Sequence, residues 1–320
     1  MTMTPNTLIN YFMKSKILII NPYMAEGLWR KNKVDVAYTY KNFNLFDRVF
    51  KVIFSKFLSL NFFDRKNWWK DCKGYDTIIL FDSTKDSLSQ SRIIEDYVAS
   101  DTQLIFYMAN PASFTPNLEL FSKKWDMWTF SKKDSLKYGF KFGETFYFKE
   151  FSQNKSSINV KYDSFFIGLE KGRMSYLNEI KKQYANLGLS SLFYIVNNRK
   201  AFFDNRFKKR LDYNRVVDLI ASSHTITEVV QSGQQGLTLR VMESIFLKKK
   251  LITNNHNIKN RQIYNPNNIF ILEEDNINDL PLFISQPFQD IDAEIVDSYS
   301  FSSWIKRIIN NVEFEKDINV

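Results

Sequence analysis

Short apolar runs alternate with longer amphipathic stretches along most of the chain. Most runs end in a polar or proline-containing loop, and the stretches between them have helical spacing. This alternation predicts parallel sheets with helices on both faces, an α/β fold. Strands are predicted at 16–20, 76–81, 103–108, 125–131, 164–169, 191–196, 224–230, 249–253 and 268–272, and helices at 88–100, 173–187, 212–221 and 238–247.

The alternation stops at a polar, linker-like segment, residues 152–163, and then starts again. We therefore expect two Rossmann-like domains, residues 1–155 and residues 156–320. Gly188 follows the predicted helix 173–187 at the position where helices commonly end in a left-handed glycine. The amphipathic stretch 300–312 predicts a last helix, which can pack against either domain.

Composition narrows the class of protein. The chain of 320 residues is 44% hydrophobic and 25% charged, as in ordinary globular proteins, and it has a single cysteine. It has no run of 18 apolar residues and no secretory signal, which predicts a cytoplasmic protein. Most of the net charge of +9 falls in residues 1–155, so this half is expected to face acidic partners.

The segment 231–243, QSGQQGLTLRVME, has features of a phosphate-binding loop. Gly233 and Gly236 allow close approach of the backbone, and the helix that follows begins with unpaired N–H groups. Thr238 could donate its hydroxyl, Arg240 could add a charged pair, and Glu243 could accept from ribose hydroxyls. The alternative is an ordinary strand–helix loop with a solvated arginine.

A second basic turn occurs in 165–173, FFIGLEKGR. Lys171 and Arg173 stand at the start of the predicted helix 173–187, where positive charges oppose the helix dipole. That placement is poor for helix stability and good for holding a diphosphate. A solvated basic turn is the alternative.

Several motifs, in this order along the chain, resemble bacterial glycosyltransferases that build lipopolysaccharide or capsular polysaccharide. In the C-terminal half they are GLEKGR, GQQGLTLRVMES, KKKLITNN and IYNPNNIF; in the N-terminal half, YMANP and WTFSKKDSLKYGF are similar to that family. The resemblance implies the GT-B arrangement, with two Rossmann-like domains facing across a cleft. It is specific in residues 234–243 and loose elsewhere.

The resemblance also implies roles for individual residues. The donor's diphosphate would lie between the two basic side chains of the turn and the glycine-containing loop, with Glu243 on the ribose. The implied donor-binding set is Lys171, Arg173, Gln234, Gln235, Gly236, Leu237, Thr238, Arg240 and Glu243. No metal or other cofactor is implied, because cations and helix dipoles can stabilise the leaving diphosphate.

A catalytic base is needed if the reaction inverts the anomeric centre. Glu26, after the first strand, and Asp82, at the end of strand 76–81, are placed by topology to reach the ligand edge of the sheet. A structural or solvated role is the alternative for each. His224 is expected to be a strand residue and His256 a surface-loop residue.

Residues 41–73 combine an aromatic stripe with basic flanks. Phe43, Phe46, Phe50, Ile53, Phe54 and Phe57 share one face of a predicted helix. The loop that follows predicts contact with an anionic membrane surface or a lipid-linked acceptor, through Arg65, Lys66, Trp68, Trp69, Lys70 and Lys73. Burial of the stripe against the N-terminal domain is the alternative.

The leading hypothesis is therefore a hexosyl- or deoxyhexosyltransferase with a nucleotide-sugar donor and a glycolipid or oligosaccharide acceptor. It would work on the inner face of the cytoplasmic membrane, without a metal. A non-catalytic nucleotide- or glycan-binding component of a surface-polysaccharide assembly is the alternative. Basic residues interleaved with aromatics also suit nucleic acid, but no nucleic-acid-binding module is recognised, so no such partner is expected.

Overall fold

The computed structural model describes residues 15–23, 26–39, 67–84, 86–153, 159–196, 208–231 and 236–314, with the backbone alone for residues 26 and 27. The chain divides into two compact units, Met1–Phe142 and Gly143–Val320. This division falls before the boundary near residue 155 that the sequence suggested, so residues 143–153 group with the second unit.

The first unit contains a parallel sheet. Its elements are β1 (Ile17–Ile20), α1 (Glu26–Lys31), β2 (Asp35–Ala37), β3 (Thr77–Phe81), α2 (Ser87–Tyr97), β4 (Gln103–Met108), β5 (Trp125–Thr129), α3 (Lys132–Tyr138) and β6 (Lys141–Phe142). Among the described residues, six strands pair in the order β2-β1-β3-β4-β5-β6. β1 and β3 are buried along their whole length, as expected for central strands of a sheet covered on both faces.

Trp68 belongs to the core of this unit. It lies in a short 3₁₀ helix, Trp68–Cys72, and is 0% exposed, which corrects its assignment to a membrane-contacting surface. Trp69 is half-buried, with its ring 5.9 Å from that of Tyr97. An apolar ring this large gains more from burial than from exposure. Lys70 and Lys73 are exposed.

The remaining residues of the predicted membrane surface, Arg65 and Lys66, lie outside the described residues, as does the aromatic stripe of 43–57. Of the described helices, none combines the length and apolar character needed to span a bilayer.

The second unit contains another parallel sheet. Its elements are β7 (Tyr162–Leu169), α4 (Met174–Asn186), β8 (Ser191–Val196), α5 (Tyr213–Ala221), β9 (Ser223–Glu228), α6 (Leu239–Phe246), β10 (Lys250–Thr253), β11 (Ile269–Ile271), α7 (Leu280–Ser285), α8 (Ala293–Ser298) and α9 (Phe301–Ile309). In the described part of this unit, five strands pair in the order β11-β10-β9-β7-β8. Gly188 follows α4 with a φ of 72°, as predicted.

An aromatic cluster, defined as Phe146, Phe148, Phe301 and Trp304, joins the beginning and end of the second unit. The rings of Phe146 and Trp304 are 4.3 Å apart, and those of Phe148 and Phe301 are 4.8 Å apart. Backbone hydrogen bonds between Tyr147 and the α8–α9 junction reinforce the contact. These contacts explain why residues 143–153 group with the second unit, and α9 packs there through its apolar face.

Trp304→Ala should destabilise the protein substantially, because Trp304 is 0% exposed and its removal leaves a cavity in the aromatic cluster. We expect a loss of about 3–5 kcal/mol in the free energy of unfolding, measured by urea denaturation. Leu282→Ala is the matched control, because Leu282 is 63% exposed. Equal losses for the two variants would contradict the importance of the cluster.

Candidate functional site

A pocket of about 200 Å³ lies at the carboxyl ends of β7 and β9. β8 lies on one side of β7 and β9 on the other, so the connections leave this point in opposite directions. Open α/β sheets bind their ligands at such a switch point. The charged residues that line the pocket are Lys171, Arg173, Glu228 and Arg240. The structure thus brings both predicted basic segments to one place.

Arg173 is held in the pocket by backbone carbonyls. Its Nη1 donates to the carbonyl of Val229 and its Nη2 to that of Leu169, while Nε donates to the carbonyl of Glu170 at 3.3 Å. A guanidinium has five N–H groups, so each terminal nitrogen keeps one for a ligand. A side chain at position 168 would place its Cβ 3.2 Å from Nη2, so it would crowd this guanidinium.

Lys171 is the more accessible cation. It is exposed, adopts a left-handed conformation with a φ of 47°, and makes no hydrogen bond or ion pair with another described residue. Burial of its ammonium, and then the positive charge of Arg173, lower the pKa of Lys171. An anion in the pocket would relieve both effects.

Glu170 occupies the start of α4. Its carboxylate accepts from the backbone N–H groups of Gly172 at 2.9 Å and Met174 at 3.1 Å. It therefore offsets the unfavourable position of the two basic residues, an effect that the sequence pattern did not indicate. A ligand anion must meet the side chains here, because Glu170 already occupies these two amides.

Glu228, the last residue of β9, forms the buried floor of the pocket and is 3% exposed. Thr238 and Thr253 both donate their hydroxyls to its carboxylate, the latter at 2.5 Å. Burial raises the pKa of Glu228, and the two hydroxyls and the positive charges of Arg240 and Arg173 oppose this shift. This carboxylate was not among the predicted site residues.

Thr238 caps α6 rather than serving a ligand. Its oxygen accepts from the backbone N–H of Arg240 at 3.0 Å, and its proton is donated to Glu228. The hydroxyl therefore has no proton left for a phosphate, contrary to the sequence-based expectation. Leu237 is buried, and its carbonyl accepts from the Thr145 hydroxyl at 2.8 Å.

Glu243 lies behind the pocket. It is 0% exposed, and its carboxylate pairs with Nη1 of Arg240 at 2.6 Å and accepts from the Tyr213 hydroxyl at 2.7 Å. This placement differs from the expected contact with a ribose, because the side chain is sealed by its partners. Burial raises the pKa of Glu243 to about 7, against the opposing effects of Arg240 and Tyr213. Its role is to position Arg240.

The other predicted residues are distributed as follows. Gly236 is buried beside Leu237, and Gln234 and Gln235 lie outside the described residues. Glu26 is the first residue of α1, and its side chain is not among those described. Asp82 lies in the first unit, where it is buried and accepts three hydrogen bonds.

Possible metal ligands are scattered rather than clustered in the described part of the chain. No group of three or more His, Cys, Asp or Glu side chains there is arranged to hold an ion. The expectation of a metal-independent site overlooked one Asp-x-Asp triplet in the sequence, Asp290–Asp292. Asp290 pairs with Lys248, and Asp292 caps α8. His224 lies in β9, and His256 pairs with Glu274 at the surface.

No protein-family model matches the chain, and no curated protein matches its sequence. Solved structures similar to it in fold include the following two. Anabaena Alr3699/HepE in complex with UDP-glucose gives a TM-score of 0.54 at 10% identity, covering 93% of this chain and 99% of that one. AviGT4, a glycosyltransferase involved in avilamycin A biosynthesis, gives 0.51 at 12% identity, covering 93% and 96%.

At these identities the likeness concerns the fold alone. It confirms the predicted class, two α/β units with parallel sheets of the GT-B type.

Glu243→Gln should change how stability depends on pH. Because the pKa of Glu243 rises from 4.5 in the unfolded chain to about 7, folding takes up a proton between these values. The stabilising contribution of Glu243 is therefore present below pH 4.5 and is lost as pH rises through 7. As pH rises from 5 to 8, the free energy of unfolding of the variant should therefore rise relative to that of the wild type by up to ~3 kcal/mol. Each pKa unit corresponds to about 1.4 kcal/mol.

Urea denaturation at both pH values measures this difference, with Glu179→Gln, at an exposed position of α4, as control. The free energies of unfolding of Glu243→Gln and wild type could instead differ by the same amount at pH 5 and pH 8. That result would contradict the burial of an ionisable Glu243.

Proposed function

We propose that the chain is a glycosyltransferase that moves a sugar from a nucleotide-sugar donor to a hydroxyl group of an acceptor. One observation carries the proposal. Three cationic side chains, Lys171, Arg173 and Arg240, line one pocket at the switch point of the second sheet. A diphosphate is the common biological ligand that matches such a concentration of positive charge.

The chemistry follows from the charges. In the transfer, the bond between the anomeric carbon and the diphosphate oxygen breaks, and its electron pair stays on the diphosphate. The acceptor oxygen bonds to the anomeric carbon and loses its proton. Arg173, fixed by three carbonyls, and Arg240, fixed by Glu243, stand ready for the developing negative charge without reorganising.

UDP is the proposed nucleotide, supported by the fold shared with Alr3699/HepE, whose structure contains UDP-glucose. A glycolipid or oligosaccharide of bacterial surface polysaccharide is the proposed acceptor. Its support is the sequence resemblance of 233–244 to enzymes that build such polymers. A non-catalytic binding protein would use the same pocket, but it would release no UDP from UDP-glucose with any acceptor.

Lys171→Ala should weaken UDP binding, because Lys171 has no partner among the described residues and its replacement leaves no group unpaired. We expect the Kd for UDP, measured by isothermal titration calorimetry, to rise about tenfold, the loss of one charge-assisted hydrogen bond. Lys181→Ala is the control, since Lys181 is exposed on α4 outside the pocket. Failure of the wild type to bind any nucleoside diphosphate would refute the proposal, and unchanged affinity in Lys171→Ala would refute the pocket's role.

Transfer should proceed without a divalent metal, because three cationic side chains line the pocket proposed for the leaving diphosphate. UDP release from UDP-glucose, followed with a panel of octyl and methyl glycosides, should have the same rate in EDTA as in Mg²⁺ or Mn²⁺. A rate abolished by EDTA and restored by metal would show that side chains do not suffice.

A further inference from the structure

The switch point of the first sheet holds a cluster that the donor pocket does not explain. In the order β2-β1-β3-β4, chain connections diverge between β1 and β3. Tyr23 follows β1, Asp82 follows β3 and Asn110 follows β4, so all three stand at the edge where parallel sheets bind ligands. Hydrogen bonds join them to one another.

Asp82 is the centre of this cluster. It is 7% exposed and accepts from the Tyr23 hydroxyl at 2.6 Å and from the backbone N–H groups of Ala109 and Asn110, each at 3.0 Å. The side-chain amide of Asn110 donates to the Tyr23 oxygen at 2.5 Å. Both Asp82 oxygens therefore accept hydrogen bonds from this cluster.

The ring of Tyr23 is fixed and yet accessible. It is 48% exposed, and it forms a T-shaped pair with Phe81, with the ring centroids 5.9 Å apart. Burial raises the pKa of Asp82, which shows that keeping this carboxylate ionised costs free energy. The fold thus keeps a buried carboxylate, Asp82, that holds Tyr23 in place, although the ring of Tyr23 lies partly in solvent. This arrangement suits ligand binding and adds little to the core.

Two further features suit a sugar, one within the cluster and one close to it along the chain. The carboxamide oxygen of Asn110 has no hydrogen-bond donor among the described residues, so a sugar hydroxyl can donate to it. Phe114, 67% exposed, ends the short 3₁₀ helix Ala112–Phe114 that follows Asn110. A pyranose has an apolar C–H face and a rim of hydroxyls, and it therefore matches an aromatic face beside an amide, as Tyr23 and Asn110 provide.

We propose that Tyr23 is the platform on which the acceptor's pyranose ring stacks, with Asp82 and Asn110 holding the platform in place. The inference rests on the proposed glycosyltransferase function and names a residue for its acceptor site. A ring fixed before binding loses little conformational entropy when the sugar arrives, and this favours affinity. Asp82 acts through Tyr23 as a positioning residue.

Tyr23→Ala should raise the KM for the acceptor and leave the Kd for UDP unchanged. Wild type and variants are assayed with UDP-glucose and whichever octyl glycoside supports the fastest UDP release. The expected rise in KM is about tenfold, with kcat within about twofold, because the lost stacking acts in binding. Tyr97→Ala is the control, since Tyr97 lies on α2 and is 47% exposed.

Tyr23→Phe keeps the ring and removes the hydroxyl that binds Asp82, so its KM for the acceptor should lie between those of wild type and Tyr23→Ala. This variant also provides the test if Tyr23→Ala does not fold. The matching methyl glycoside, which lacks the octyl chain, shows whether the pyranose itself is recognised. With it, the ratio of the KM of Tyr23→Ala to that of the wild type should be the same as with the octyl glycoside. A ratio that falls to about one with the methyl glycoside would overturn the stacking assignment.

The inference and the function fail in different ways. If the wild type binds no nucleoside diphosphate and releases no UDP with any glycoside, the proposed function is wrong and the inference falls with it. If the wild type transfers sugar but folded Tyr23→Ala or Tyr23→Phe keeps the wild-type acceptor KM, only the inference is overturned. Loss of UDP binding in Tyr23→Ala would also overturn it, since the effect would not be specific to the acceptor.

Discussion

The buried carboxylate of Glu228 connects the parts of the donor pocket. It ends β9, and it receives the hydroxyls of Thr238, which caps α6, and Thr253, which ends β10. A carboxylate in this position is costly unless hydrogen bonds and positive charges compensate for lost water. Thr238 and Thr253 supply the bonds, and the two arginines of the pocket supply the charge. The same hydrogen bonds fix the start of α6 against the carboxyl end of the sheet, where the two arginines lie.

The two units use the same topological device, although no repeat is visible in the sequence. In each sheet the first strand has the second on one side and the third on the other. The donor pocket lies at this point in the second unit, and the Tyr23–Asp82 cluster lies at the corresponding point in the first. Both sites depend on a buried acidic residue at the end of a strand. Glu228 receives hydroxyls at the pocket floor, whereas Asp82 presents an aromatic ring to solvent.

The central strands could be predicted from sequence because buried parallel strands are continuous apolar runs. The strands at 103–108 and 191–196 agree to the residue, and the other predicted strands differ by one or two residues at their ends. β2 and β6 were missed because three and two residues give no periodic signal. Trp68 was assigned to the surface because lysines are close to it in the sequence. In the 3₁₀ helix Trp68–Cys72, Lys70 is exposed, whereas Trp68 and Cys72 face the core.

For the candidate site, sequence identified the cations but not their partners. Lys171, Arg173 and Arg240 line one pocket as expected, since loops at the carboxyl ends of adjacent parallel strands must meet. Sequence could not show that Thr238 donates to Glu228 or that Glu243 faces Arg240, because both depend on tertiary contacts. The available signal for Glu228 was a carboxylate as the final residue of an apolar strand, directly before a glycine-containing loop.

The central claim is that this pocket holds a nucleoside diphosphate, and amide hydrogen exchange followed by mass spectrometry with and without saturating UDP tests it most directly. Binding there should slow exchange in peptides that cover 166–176 and 229–243, because a bound ligand makes local opening of the pocket around the ends of β7 and β9 less favourable. Protection confined to other parts of the chain, such as the basic pocket at the opposite edge around Lys248–Lys250, or no protection at all, would contradict the account.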